Sequence, residues 1–150
     1  MAFSNYLIKI IDTTNDPNIG DWAIPMEYIA LESYKVTPNI RMDLDPFRDA
    51  NGVLYRNVVP NMSSKIEINT PYLYGRQMQD LIANIRSRYV STSEKKVKVS
   101  FYCPDTDSYK TEYMYCPDFA FEIYKIDKTN ATKFSQNTIY KPFRLAFIGY

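Results

Sequence analysis

Histidine is absent from this 150-residue chain, glycine occurs four times, cysteine twice and tryptophan once. Each scarcity closes off a kind of chemistry. Without histidine, a serine or cysteine nucleophile has no imidazole to take its proton, and no Gly-x-Ser-x-Gly elbow is present. Gly20, Gly52, Gly75 and Gly149 stand too far apart for a phosphate-cradling loop or a dinucleotide fingerprint. Two cysteines and no histidine leave zinc short of ligands. Cys103 and Cys116 each precede Pro-Asp. With a turn at Asp105 to Ser108, cross-strand indices sum to about 213, which sets Cys103 against Lys110 and Cys116 against Val97, too far apart to bridge. Two reduced, buried thiols are expected. No apolar run approaches the ~20 residues that span a bilayer, and Met1-Ala2-Phe3-Ser4-Asn5 lacks the regions of a signal peptide, so synthesis in the cytoplasm without a membrane span is expected. The 18 basic and 17 acidic residues leave a net charge of +1 and no global field toward nucleic acid or anionic lipid.

What the chain has instead is tyrosine: 14 of them, within an aromatic content of 15%. Flat amphipathic rings suit a pleated, half-buried surface, so strands are favoured. The length matches one domain over residues 1–150, with a core that needs no metal or disulfide. Tyr6 to Ile11 reads as a first strand, and Asp12 to Asn18 as a loop. Met26 to Val36 reads as a second strand limited by Pro25 and Pro38. Ile40, Met42 and Leu44 alternate with Arg41, Asp43 and Asp45, and Asn51-Gly52 then predicts a two-residue type I′ turn into a return strand over Val53 to Val58. Ser64 to Asn69 alternates again, and Thr70-Pro71 predicts a helix start. Tyr74, Met78, Leu81, Ile82, Ile85 and Tyr89 form one apolar stripe at helical spacing. Val97, Val99, Phe101 and Cys103 alternate with Lys96, Lys98, Ser100 and Tyr102, and a turn leads into Tyr109 to Tyr115. Phe119 to Ile126 predicts another strand, Asp127 to Asn137 a polar loop, and Ile139 to Ile148 a closing strand with Pro142 near its start. Roughly seven or eight strands and one helix, without βαβ alternation, give a mainly β fold. The expected architecture is a two-sheet β-sandwich or barrel with one packed helix (about residues 71–89) and a long protruding hairpin (about residues 40–58).

Candidate chemistry is thin. Asp43, Asp45, Asp49 and Asn51 invite a calcium loop, but with Gly52 as its glycine the first ligand falls on Phe47 and the closing carboxylate on Val58, so both anchors are missing. Glu27, Glu32, Glu67 and Glu112 could in principle pair for glycoside hydrolysis, yet they lie in alternating segments where surface exposure is the simpler account. Arg76, Arg86, Arg88, Lys95, Lys96 and Lys98, with Tyr89 and Tyr102 nearby, could line a single-strand nucleic-acid groove. The plainer account puts Arg86 and Arg88 at the helix C-terminus and the lysines on a strand face that resists edge pairing. Neither an enzyme nor a cofactor is expected.

Three stretches carry a resemblance: Arg48-Asp49-Ala50-Asn51-Gly52-Val53-Leu54-Tyr55-Arg56; Lys65-Ile66-Glu67-Ile68 leading into Met78 to Ile85; and Val99-Ser100-Phe101-Tyr102-Cys103-Pro104-Asp105 leading into Tyr113-Met114-Tyr115. In their order and spacing the chain resembles a group of small uncharacterised tail proteins of phages and prophages of Gram-positive bacteria, similar to the tail-tube-like fold. The resemblance implies a tail-tube-like domain that packs two sheets with a helix alongside, forms homo-oligomeric rings and extends its hairpin onto a neighbour. On that view Asp45, Phe47, Asn51, Gly52, Tyr55 and Arg56 form the intersubunit arm, with Phe47 and Tyr55 as anchors. It further implies a virion structural protein made in the host cytoplasm, placed in the tail as tube, completion ring or baseplate adaptor. Other tail proteins would be its partners, and DNA would pass through a lumen without specific binding. A carbohydrate- or protein-binding β-sandwich using surface tyrosines is the alternative, and a small carboxylate-dependent hydrolase the next.

Overall fold

A two-residue period can dry only one face of a strand, and this chain meets the constraint by laying most of its strands in one antiparallel sheet. The computed structural model describes residues 4–41, 43–58, 60, 62–126, 128 and 134–150. Its elements in chain order are β1 (Ile8–Ile11), β2 (Trp22–Ala23), β3 (Lys35–Ile40), β4 (Asp43–Arg48), β5 (Leu54–Val58), β6 (Ser63–Asn69), β7 (Leu73–Tyr74), α1 (Gly75–Arg86), β8 (Lys96–Cys103), β9 (Ser108–Tyr115), β10 (Ile123–Lys125), α2 (Phe134–Asn137), β11 (Ile139–Tyr140) and β12 (Arg144–Gly149). Among the described residues, seven strands form a sheet in the order β2-β1-β8-β9-β12-β6-β3, three form a smaller one, β10-β11-β7, and β4 and β5 pair only with each other. The fold is mainly β with one full helix, as the periodicity predicts.

Ile8 and Ile10, Val97, Val99 and Phe101, Met114, Leu145 and Phe147, and Ile66 and Ile68 share the inner face of the large sheet and are buried. The α1 side chains Leu81, Ile82 and Ile85 join the same cluster, each worth about 1.5–3 kcal/mol of burial. The helix is shorter than 71–89. Leu73 and Tyr74 are drawn into β7 opposite Tyr140 and Ile139, and the Gln77 carboxamide oxygen accepts the Tyr74 N–H at 3.0 Å as the helix opens. Thr70, expected as its cap, is buried elsewhere: its N–H donates to Phe143 O at 3.0 Å, and its hydroxyl accepts the Phe143 N–H at 3.1 Å.

Other segments depart from their expected form for local reasons. Met26 to Val36 is not a strand. It opens with a 3₁₀ turn over Met26–Tyr28, and β3 begins only at Lys35. Pro38 lies inside β3 rather than ending it, which is tolerated because β3 is an edge strand bulged there: Pro38 and Asn39 together oppose Ser64, and Asn39 takes φ 56°. The β8–β9 connection is Pro104 to Asp107, so Cys103 faces Ser108, and Cys116 donates its N–H to Lys95 O. The predicted register was two residues off, yet both thiols are free and buried, and burial pushes Cys116 up to about 12. Only Ile123–Lys125 of the segment 119–126 forms a strand. The closing run divides at Pro142, β11 going to the small sheet and β12 to the large one. The polar stretch ends in the single turn α2; its residues 127 and 129–133, like Met42 in the earlier alternation, lie outside the described residues.

Arg88, expected in the last turn of the helix, lies just beyond α1 and is buried. Its guanidinium donates to Gly20 O (2.8 Å), Ile19 O (3.2 Å) and Asn84 O (2.8 Å), joining the end of α1 to the 12–20 loop, and its Cζ lies 5.9 Å from the Trp22 ring centroid. That loop is itself organised by Asp12, whose carboxylate accepts the Thr14 hydroxyl and the N–H groups of Thr14 and Gly20. Replacing the buried Arg88 by Met removes these part-buried hydrogen bonds, so urea unfolding of Arg88→Met is expected to show a loss of about 1.5–3 kcal/mol, against under about 0.5 kcal/mol for exposed Arg76→Met.

Candidate interaction surfaces

The hairpin is the first surface to consider, because its own chain leaves it bare. Its turn is not the two-residue type I′ form. The Gly52 N–H donates to Asp49 O and the Asp49 N–H to Val53 O, both at 3.0 Å, which leaves Ala50, Asn51 and Gly52 as a three-residue loop with Gly52 at φ 81°. The Asp49 carboxylate decides this: Oδ1 accepts the N–H groups of Asn51 (2.9 Å) and Val53 (3.0 Å), and Oδ2 accepts the Tyr55 hydroxyl. Further down, Asp45 and Pro46 together oppose Arg56 in a bulge, with Asp45 at φ 46°.

Register then sorts the arm into two faces. Leu44, Phe47, Tyr55 and Asn57 lie on one side, Phe47 stacked on Tyr55 at 5.1 Å, and the two rings are 59% and 49% exposed. Arg56 lies on the other, gripping Asp43 through Nε (3.0 Å) and Nη2 (2.9 Å), a pairing that pushes its guanidinium up. Of the six predicted arm residues, the structure brings Phe47 and Tyr55 into one apolar contact. Asn51 and Gly52 form the tip, Asp45 the bulge, and Arg56 the opposite face.

The outer face of the large sheet is the second surface. It carries Lys96 and Lys98, and these do not guard an edge, since β8 lies between β1 and β9. Their ammonium groups lie over tyrosine rings: Lys96 over Tyr113 (5.1 Å) and Tyr150 (4.8 Å), Lys98 over Tyr113 (5.7 Å), and nearby Lys9 over Tyr6 (4.5 Å). Tyr102, Tyr109 and Tyr6 continue the aromatic strip, tied down by hydroxyl bonds from Tyr102 to Asp107 (2.6 Å) and from Tyr109 to Tyr6 O (2.8 Å). The other predicted cations scatter. Arg76 sits over Tyr74, Arg86 ends α1, and Lys95 pairs with Asp118.

The four candidate acids do not converge. Glu27 lies in the 3₁₀ turn, and Glu112 meets Lys110 at 3.2 Å on the inner side of β9. Glu32 and Glu67 line one cleft of 240 Å³ with Lys35 and Arg144. There, hydrogen bonds from Lys65 (2.9 Å) and Arg144 hold Glu67 down at about 2, the reverse of what a proton donor at neutral pH needs. Two adjoining hollows of 490 and 510 Å³ beside α1 share Arg86 and Phe121, and their one acid, Asp118, is the partner of Lys95. Among the described residues, no three His, Cys, Asp or Glu side chains cluster as metal ligands, and no helix is long and apolar enough to cross a membrane.

Across residues 1–150 the sequence matches a family of unknown function, DUF6711. The chain belongs to this family. No curated protein matches it significantly. Among solved structures, this DUF6711 chain is similar to a chain from the tail of an empty GTA particle, determined by helical refinement with C6 symmetry. The two share 13% identity over 97% of this chain and 91% of the other, with a TM-score of 0.49.

Glu67 gives the outer face a pH signature. Its folded value lies below its unfolded one, so its contribution is complete above about pH 5 and is lost as pH falls toward 2. Chemical denaturation of Glu67→Gln across that window is expected to show a shallower acid limb than the parent, together with lower stability at pH 7.

Proposed function

We propose that this DUF6711 protein is a structural component of a phage or phage-like tail, and that the β4–β5 arm joins each copy to the next in a ring. The observation that carries the reading is the arm's bare apolar face. A two-stranded ribbon is marginal alone in water, and this one nevertheless presents two stacked aromatics that are about half exposed. Aromatic anchors of this kind dominate interface energetics. A ribbon from one copy seated on a different surface of its neighbour makes a head-to-tail contact, which closes into a ring or runs on as a filament. Phe47 and Tyr55 are the anchors; Asp45 and its bulge aim them; Asn51 and Gly52 shape the tip; Arg56, locked to Asp43, stiffens the far side. The protein works in the virion tail as tube, completion ring or baseplate adaptor, among other tail proteins, with DNA as the passenger. The resemblance of its central stretches to phage tail proteins supports the same reading.

Deleting Asp45 to Leu54 and closing the hairpin with a short turn is expected to spare folding, since no residue of the arm enters the core, while abolishing assembly. Light scattering coupled to size exclusion, with negative-stain microscopy, is the readout. Rings or tubes should give way to monomers, and Phe47→Ala and Tyr55→Ala should each weaken assembly by about 30-fold or more. An unchanged oligomer in the shortened protein defeats the proposal, and so does a parent that stays monomeric at high concentration while binding glycans on an array.

A further inference from the structure

Strand register fixes which residues share the outer face of the seven-stranded sheet, and the result is a charge segregation that the net charge of +1 conceals. One row runs Thr37, Lys65, Ile148, Tyr115, Lys96 from β3 to β8, each residue paired with the next. Neighbouring positions add Lys35 opposite Glu67, Arg144 opposite Asn69, Lys98 opposite Tyr113, and Lys9 opposite Ser100. Six cations, Lys9, Lys35, Lys65, Lys96, Lys98 and Arg144, thus face the same way. Glu67 is the single acid at a strand position on that face, and Glu32, Glu94 and Asp107 sit in turns at its margin. Among the described residues Lys9, Lys35, Lys96 and Lys98 have no carboxylate partner.

We infer that this face binds the phosphate backbone of a nucleic acid. The cations come from five strands within a span of six, about 24 Å at the usual strand spacing, too wide for one phosphate or one lipid headgroup and suited to a line of charge. Between them lie Tyr113, Tyr115 and Tyr150, exposed rings that offer stacking surface to sugars and bases. Lysines spread over the open face of a sheet meet phosphates rather than base edges, so binding follows charge and is independent of sequence. The contact depends on neither the arm nor the ring.

Fluorescence anisotropy with labelled duplex and single-stranded oligonucleotides tests this, on both the intact and the arm-deleted protein. Either strand form is expected to bind with a micromolar to roughly 100 µM constant, weakening steeply between about 50 and 200 mM salt. Lys9→Glu/Lys96→Glu/Lys98→Glu should lower affinity at least about tenfold and reduce the salt slope by roughly two to three, with Lys→Gln versions intermediate. Circular dichroism of each variant confirms that the fold is kept. Three outcomes overturn the inference: no binding of either strand form at low salt, equal binding by the folded charge-reversed variant, or poly-glutamate competing as well as DNA, which would mark the face as a dock for an acidic protein. Loss of assembly with DNA binding intact, or the converse, separates this inference from the arm proposal.

Discussion

The inner face of the large sheet has to be dry, and α1 is the one long element outside the sheet that joins its buried cluster. Leu81, Ile82 and Ile85 belong to one buried cluster with Val97, Val99 and Phe101, and both ends of the helix are tied to other parts of the chain. At its start, Gly75 donates its N–H to Thr138 O at 2.8 Å, and the preceding Leu73 and Tyr74 are stitched to β11, so the small sheet is a bracket for the helix N-terminus. At its end Arg88 fills the same office, tying the Asn84 carbonyl to the backbone of the 12–20 loop. Burying a guanidinium is costly unless its donors are used, and here three carbonyls use them. With the apolar cluster gathered on the inner face, most of the outer face of the sheet is left free for charged and aromatic side chains.

That freedom shows in the composition of the two faces. β8 is an interior strand whose inward side chains are fully apolar, yet it presents Lys96 and Lys98 outward, where neither edge protection nor an ion pair explains them. The tyrosines beside them supply a partial answer. A ring beneath an ammonium group offsets part of the repulsion among the lysines without neutralising the field that they project. A carboxylate would have stabilised the strand more simply, and only Glu67 takes that position.

How far the sequence could show this depended on the range of the interaction involved. Alternation in β8 and β9 and the three-to-four spacing of Leu81, Ile82 and Ile85 are local, and both were legible. The arm itself was legible as a hairpin, but its aromatic pair was not, because a two-residue turn would set Phe47 opposite Arg56, and only the three-residue loop brings it to Tyr55. Arg88 was misplaced because a helical wheel shows a cation away from the stripe, while its burial depends on carbonyls 68 and 69 residues away. The basic face was invisible for the same reason: Lys9, Lys35, Lys65, Lys96 and Arg144 come from five strands, and only the strand order puts them together. Turn geometry set the remaining errors. The Asp49 carboxylate enlarged the Asn-Gly turn by one residue, and the position of the Pro104 to Asp107 connection shifted the cysteine register by two.

The arm also constrains how it can be used. An isolated ribbon has two open edges, and open edges invite indiscriminate strand addition. Here β4 is interrupted at mid-length by Asp45 in the left-handed region and by Pro46, which has no N–H to offer, so a regular ladder cannot run along that edge. The Arg56 and Asp43 pair places charge on one broad side. What remains for a partner, besides the short edge of β5, is the other broad side, where Leu44, Phe47 and Tyr55 are exposed. Recognition by that face reads side-chain shape, whereas recognition by an edge reads only backbone, and shape is what lets a repeating assembly admit its own subunit in a single orientation.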